Sequence, residues 1–443
     1  MQKKWITGLM GGLLAATVLS GCDESEIILQ GKRENPRAIL GGVENTDVAL
    51  PENTVAAVNL PTMRQNSDWT QGPGSPATRT DHAALSATPA LVWSANIGQG
   101  DSRRGRITAD PVVAGGRIYT LDSQALVSAT STAGVPLWST DLVPAHDSGK
   151  DASGGGLAYA DGTLYVSSGF GRLTALDAAT GAQLWQQKLD ATGSGTPTVK
   201  GDLIYLVAGD STGWAIERRT GRVRWQIDAT PDINNIMGAP APAVTDQFAL
   251  FAFGSGEVQA TFAAGGLRRW DALLTGKRAG FARAEISDIT GDPVISGNTV
   301  YVGTNSGRLI ALDLGSGERL WTAEQSAQSA PWVAGGDVFA INDSNELVRL
   351  TAATGERVWS VKLPFFTKGR PKRQREIFAH HGPVLAGGRL LVASSDGILR
   401  SYDPKSGDLV AQTDLPGGAT TDPVVAGGTA YVVNTKGQLL ALR

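Results

Sequence analysis

The chain has 443 residues, with 39 Lys and Arg against 42 Asp and Glu and a formal charge of −3. That balance supplies neither the basic field a nucleic-acid duplex needs nor the acidic excess of a disordered tail, so nucleic acid is set aside as a partner. Charged residues are only 18% and glycines number 56, which favours a β-rich chain with many tight turns, and the single Cys excludes an intramolecular disulfide or a Cys-based zinc site.

Residues 1–21 have a basic start (Lys3, Lys4), an apolar stretch from Trp5 to Leu19, and then Ser20-Gly21. These are the parts of a secretory signal peptide, and the apolar stretch is short for a bilayer span of about 20 residues. The lone Cys follows at once, in Leu19-Ser20-Gly21-Cys22. This resembles the lipobox of bacterial lipoproteins, which implies that Cys22 carries the lipid and that the exported chain is anchored to a membrane rather than inserted in it. Residues 22–89 are read as the tether. From Asp23 to Leu60 no period of 2 or 3.6 is sustained, whereas Trp69 and the Gly-Pro-Gly-Ser-Pro run at 72–76 predict a loop that packs one aromatic onto the domain behind it.

From Leu91 the chain repeats itself. Short apolar runs are broken by turns such as Ala114-Gly115-Gly116, Ala160-Asp161-Gly162, Ser296-Gly297-Asn298 and Ala426-Gly427-Gly428. Gly, Asn and Asp supply the positive φ that two-residue hairpin turns require. A later turn in each unit precedes a Trp strand: Asp177-Ala178-Ala179-Thr180-Gly181 before Trp185, Asp313-Leu314-Gly315-Ser316-Gly317 before Trp321. The acid holds the turn and Gly takes its left-handed position, while the Trp buries a large face against the neighbouring unit. Asp403 to Gly407 keeps the turn but has Ala411 in the Trp position, which predicts a weaker contact there. The intervals from Trp93 to Trp359 suit four-stranded blades, and counting hairpins gives eight units. The eighth, Asp422 to Arg443, lacks its Trp strand, and Leu91-Val92-Trp93-Ser94 supplies one. Residues 90–443 are therefore expected to form an all-β, eight-bladed propeller of four-stranded antiparallel blades, closed by strand 90–97 in the last blade.

The unit Asp-x-x-Thr-Gly-x-x-x-Trp resembles the pyrroloquinoline-quinone (PQQ) type propeller repeat, and Leu176 to Trp185 is a close copy. One family of that repeat, the periplasmic quinoprotein dehydrogenases, implies a Ca²⁺ held by carboxylate and amide oxygens, a catalytic Asp and a pair of adjacent Cys. With Cys22 committed to the N-terminus that pair is missing, and no clustered acid set stands out. The other is the BamB family, the propeller lipoproteins of the outer-membrane β-barrel assembly machinery. It combines lipobox, tether and eight blades as this chain does. Membership implies no enzyme activity and no cofactor or metal, and a lipid-anchored place on the periplasmic side of the outer membrane. The implied partners are the periplasmic repeats of BamA, the other assembly-complex lipoproteins and nascent outer-membrane proteins. The family's two contact loops map onto Asp232 to Gly238, with Ile233, Ile236 and Met237, and onto Ile286 to Pro293, with Asp288.

Other candidate chemistry reads blandly. His380 and His381 are adjacent, so on a strand they face opposite ways and one metal does not take both; a surface or channel-lining place is expected. Gly154-Gly155-Gly156 lacks the Lys-Ser/Thr of a phosphate loop and reads as a turn. Two basic runs, Arg103-Arg104-Gly105-Arg106 and Lys368 to Arg375, read as solvated loops, the second in the longest inter-blade connection; lipid headgroups or an acidic partner come next.

Overall fold

The computed structural model describes residues 52–72, 74–77, 81–189, 191, 195–209, 211–231, 239–274 and 288–443. Glu52–Arg443 is one compact unit, separate from Met1–Pro51. The expected signal peptide, Cys22, Ile233, Ile236 and Met237 lie outside the described residues.

Among those residues, 32 strands form eight four-stranded antiparallel sheets. Each is a blade, and in all but the last the strands follow chain order from the innermost outward. Blade 1 spans residues 112–141, blade 2 155–188, blade 3 198–228, blade 4 243–273, blade 5 294–323, blade 6 332–362 and blade 7 380–414. Among the described residues the only helix is a 3₁₀ turn at Pro371–Arg373. The second and third strands of each blade, such as Thr163–Ser168 and Arg172–Asp177, are apolar and buried on both faces because another sheet packs on either side. The outermost strands have an exposed edge and mix exposed with partly buried residues, as in Val223–Asp228.

The expected closure is present. Leu91–Asn96 is the fourth strand of blade 8, antiparallel to Gln438–Leu442, with Trp93 opposite Ala441. The longest connection is a correction. Residues 363–379 are exceeded by the segment between the strands ending at Leu273 and beginning at Val294, because blade 5 opens only after Pro293.

What joins blade to blade is one repeated contact. The Trp of an outer strand lies on the turn glycine of the next blade, and its indole N–H donates to a carbonyl of the same turn. Trp138 of blade 1 donates to Ala178 O (3.2 Å), and a Cβ on Gly181 would come within 2.5 Å of its ring. Trp185 and Gly221, Trp225 and Gly266, Trp270 and Gly317, Trp321 and Gly355, and Trp359 and Gly407 repeat the pair. Trp93, on the closing strand, does the same to Gly134 and Thr132 O of blade 1. The acid at the head of the turn sets its shape: Asp177 Oδ1 accepts from the N–H groups of Ala179 and Thr180 and from the Thr180 hydroxyl. Those bonds, the hydroxyl first, hold its carboxyl below the ordinary carboxylate range.

Ala411 breaks the series for a topological reason. Blade 8 takes its fourth strand from 91–96, so no turn joins its third and fourth strands and no glycine faces the outer strand of blade 7. Thr413 Oγ1 instead donates to Pro89 O (2.8 Å), where the chain enters the closing strand.

This contact yields a paired prediction. In Gly181→Ala the new methyl meets Trp138 at a position with φ 75°, whereas Gly162 at φ 80° has nothing within 4 Å of its Cβ site. Gly162→Ala is expected to cost about 1–2 kcal/mol from backbone strain alone, and Gly181→Ala roughly 1–3 kcal/mol more from overpacking. Urea unfolding of the two variants beside the parent checks the difference, and equal midpoints would dismiss the contact.

Candidate functional site

Strand order gives the propeller two unlike faces. One carries the connections from each outer strand to the next blade's inner strand, and there the central channel opens into a cavity of about 680 Å³. Its wall is built where inner strands begin, at X-Pro positions. Asp110, Asp292 and Asp422 each precede a proline, and each reaches back to the equivalent backbone of the preceding blade. Asp292 Oδ1 accepts Ala241 N–H (2.7 Å), Asp422 Oδ1 accepts Gly382 N–H (2.7 Å), and Asp110 Oδ1 accepts Asp422 N–H (2.8 Å). At the junction of blades 6 and 7 the Ser329 hydroxyl donates to Gly382 O. These acids join blades. The repeated Asp-Pro-Val at 110, 292 and 422 was the signal that sequence reading passed over.

The opposite face is closed by the N-terminal segment, which runs through every blade. Trp69 exchanges both backbone hydrogen bonds with Val113 of blade 1 (2.7 and 2.8 Å). Tyr159 N–H of blade 2 donates to Thr70 O, Val199 N–H of blade 3 to Gln71 Oε1, Val244 N–H of blade 4 to Pro76 O, and Ile295 N–H of blade 5 to Ala77 O. Gly387 N–H of blade 7 donates to Ala83 O, and Gly427 N–H of blade 8 to Asn66 O. On blade 6, Arg349 donates to Ala56 O (2.7 Å) and Ala57 O (2.9 Å) while paired with Asp337 (2.9 Å). Arg349 stands opposite Trp359 where other blades have Ala opposite Trp, as Ala175 stands opposite Trp185, so its departure from the repeat marks the segment's path. Trp69, 1% exposed as expected of a packed aromatic, lies 6.4 Å between ring centroids from Trp332 of blade 6. Indoles tied to blades 1 and 6 thus meet across the channel and stop it.

The two histidines face opposite ways. His380 is buried within its blade, a correction to the surface or channel place expected; its Nδ1 contacts Ser394 Oγ (2.7 Å) and Nε2 contacts Pro364 O (2.8 Å). His381 lines the cavity and is partly buried in its wall. Burial pulls both imidazoles below their ordinary value, and for His381 it outweighs the opposing charges of Asp422 and Asp101.

The acids of the wall have structural work. Asp110, Asp292 and Asp422 each commit an oxygen to a neighbouring blade, and no group of three His, Cys, Asp or Glu among the described residues has metal-holding geometry.

Of the expected contact residues only Asp288 is described, and it is 3% exposed, followed by the buried Ile289. Its carboxylate does not stand on a solvent-facing rim. The two connections that carry the expected loops, between blades 3 and 4 and between blades 4 and 5, are neighbours on the cavity face, and the Ala241–Asp292 hydrogen bond ties their described ends together. Of the basic runs, Arg106 pairs with Asp101 (3.4 Å), which also accepts from Ile107 N–H and the Thr420 hydroxyl.

Fold and repeat define the class, a PQQ-type eight-bladed propeller. The chain belongs to the family described as "Outer membrane protein assembly factor BamB", whose pattern matches residues 123–361 and 368–443. Its relatives include the outer membrane protein assembly factor BamB of Salmonella typhimurium, 25% identical over 364 residues, 80% of this chain and 89% of the relative. The BamB of Yersinia pestis is 26% identical over 242 residues, 54% of this chain and 61% of that protein's length. The crystal structure of BamB from Moraxella catarrhalis superposes with a TM-score of 0.66 at 18% identity, covering 80% of this chain and all (100%) of that one. The fold is also similar to that of the quinohemoprotein alcohol dehydrogenase ADHIIG of Pseudomonas putida HK5, TM-score 0.61 at 14% identity, covering 85% and 80%.

Two predictions follow from the channel. Trp69→Ala should release residues 66–72 from the inner strands, seen as faster amide exchange there with the outer latches still protected; unchanged protection would mean that the stopper does not depend on the indole. The lowered histidines take up protons more readily unfolded than folded, so stability is full above about pH 6.5 and falls as pH drops through it. Unfolding midpoints at about pH 7.5 and 5.5 should differ, and by less in His381→Gln.

Proposed function

We propose that the chain is a non-catalytic scaffold for outer-membrane barrel-protein assembly. A lipid on Cys22 holds it at the outer membrane, facing the periplasm, and it docks on the periplasmic repeats of BamA. The other assembly lipoproteins and nascent outer-membrane proteins are its further partners. The observation that carries this reading is the family match, which runs from blade 1 through blade 8. The dehydrogenase reading has the fold in its favour, but three of the cavity's acids, Asp110, Asp292 and Asp422, each give an oxygen to a neighbouring blade.

The docking surface proposed is the pair of neighbouring connections on the cavity face. Ile233, Ile236 and Met237 supply its apolar anchor, in keeping with the few buried residues that carry most interface energy. Asp288, being buried, serves by shaping its loop beside Ile289 rather than by pairing across the rim. With the stopper on the other face, the cavity face is left for partners.

The test is binding of residues 23–443 to the purified periplasmic repeats of BamA from the same organism. Ile236→Asp is expected to weaken binding by about tenfold or more with an unchanged unfolding midpoint. Asp288→Arg should lower both binding and the midpoint, since it buries an unmatched charge. No binding by the parent would overturn the scaffold reading; binding untouched by Ile236→Asp would move the surface.

A further inference from the structure

The connection from blade 6 to blade 7 is built unlike an ordinary turn. Residues 363–379 form a two-stranded arm: Phe366 and Ile377 bridge, Thr367 N–H donates to Glu376 O (3.0 Å), and Phe378 N–H donates to Phe365 O (2.9 Å). The 3₁₀ turn Pro371–Arg373 lies in its tip. Lys368, Arg370, Lys372, Arg373 and Arg375 are all exposed, and among the described residues none of them forms an ion pair. Beside them Phe366 is 40% and Ile377 48% exposed. In a chain of net charge −3, five cations against the arm's single acid, Glu376, flanked by open apolar groups, make an amphiphilic surface.

A second observation places that surface. The outer strand of blade 6, Arg357–Lys362, runs directly into the arm. The N-terminal segment is fastened to the same strand: Thr54 N–H donates to Val358 O (3.0 Å), the Asn53 amide to Ser360 O (2.9 Å), and Ser360 N–H to Asn53 Oδ1 (3.0 Å). The described chain thus begins, at Asn53 and Thr54, on the edge that carries the arm.

We propose that this arm contacts the membrane. Its cations lie on anionic phospholipid headgroups, and Phe366 and Ile377 enter the interfacial layer beneath them. Acyl anchoring alone tethers a protein without orienting it, and a basic patch is the usual second signal. The arm supplies that second signal and turns the rim of blades 6 and 7 to the bilayer. The geometry rests on the anchoring reading above, but the test does not need the lipid.

Residues 23–443, which contain the whole compact unit, are mixed with vesicles of phosphatidylcholine alone or with added phosphatidylglycerol, and co-sedimentation is measured. Binding is expected only to the anionic vesicles and should weaken as salt rises. Lys372→Glu/Arg373→Glu/Arg375→Glu should lower it by about a hundredfold or more, at about fivefold for each cation lost and a further loss from the repulsion of each new carboxylate. Phe366→Ser/Ile377→Ser should keep the salt dependence and lose the part that survives high salt. No binding to anionic vesicles, equal binding to neutral ones, or full binding by the triple variant overturns the proposal. A triple variant that fails to bind the BamA repeats, with no vesicle binding by the parent, would assign the arm to an acidic protein face instead. A failure of BamA docking leaves the vesicle result standing, so the two readings fail separately.

Discussion

Everything in this molecule depends on a tryptophan meeting a glycine. The indole needs a flat, Cβ-free surface, and a five-residue turn provides one because its last residue sits in the left-handed region where glycine is at ease. The ring and its N–H address the same turn, so the contact fixes distance and angle together. Repeated around a ring, it sets the spacing of sheets whose inner strands would otherwise pack with little preference for register. The hydrophobic interior supplies most of the cohesion, and the latch makes the arrangement specific.

That ring is then given direction. Backbone N–H groups of inner strands would be left unpaired at a channel mouth, and the N-terminal segment satisfies them on one face with its own carbonyls. On the other face the equivalent need is met by carboxylates at X-Pro positions, which reach sideways and leave the centre open. One face is therefore filled with chain and the other keeps an open cavity. Arg349 shows the coupling in a single side chain, replacing the Ala of the repeat to grip both its own blade and the passing segment.

The blades were legible because their chemistry is local: turn acid, glycine and Trp lie within ten residues, and a missing Trp strand at one end could be matched to a spare one at the other. The packed Trp69 was legible for the same reason, as a lone aromatic beside a Gly-Pro run. Its route was not, since backbone-to-backbone hydrogen bonds leave no pattern of side chains. The burial of Asp288 was not legible, because an acid in a long connection carries no local mark of it and only the fold places it beside Ile289. Residues 368–375 looked like a solvated run, because the pairing of Phe366 with Ile377 spans the charges and has no signature in either half.

The closing strand has a consequence for the order in which the molecule is made. Leu91–Asn96 is synthesised early, yet its partner Gln438–Leu442 comes last, and the segment at 66–77 likewise waits for inner strands that lie far downstream. Contacts so distant along the chain close slowly. Until they do, an open-edged stack of blades with its N-terminal segment undocked is the species present, and such edges invite pairing with other chains. A nascent copy of this protein therefore passes through a stage with the same hazard as an unfinished β-barrel, and it must be shielded until its final five strand residues arrive.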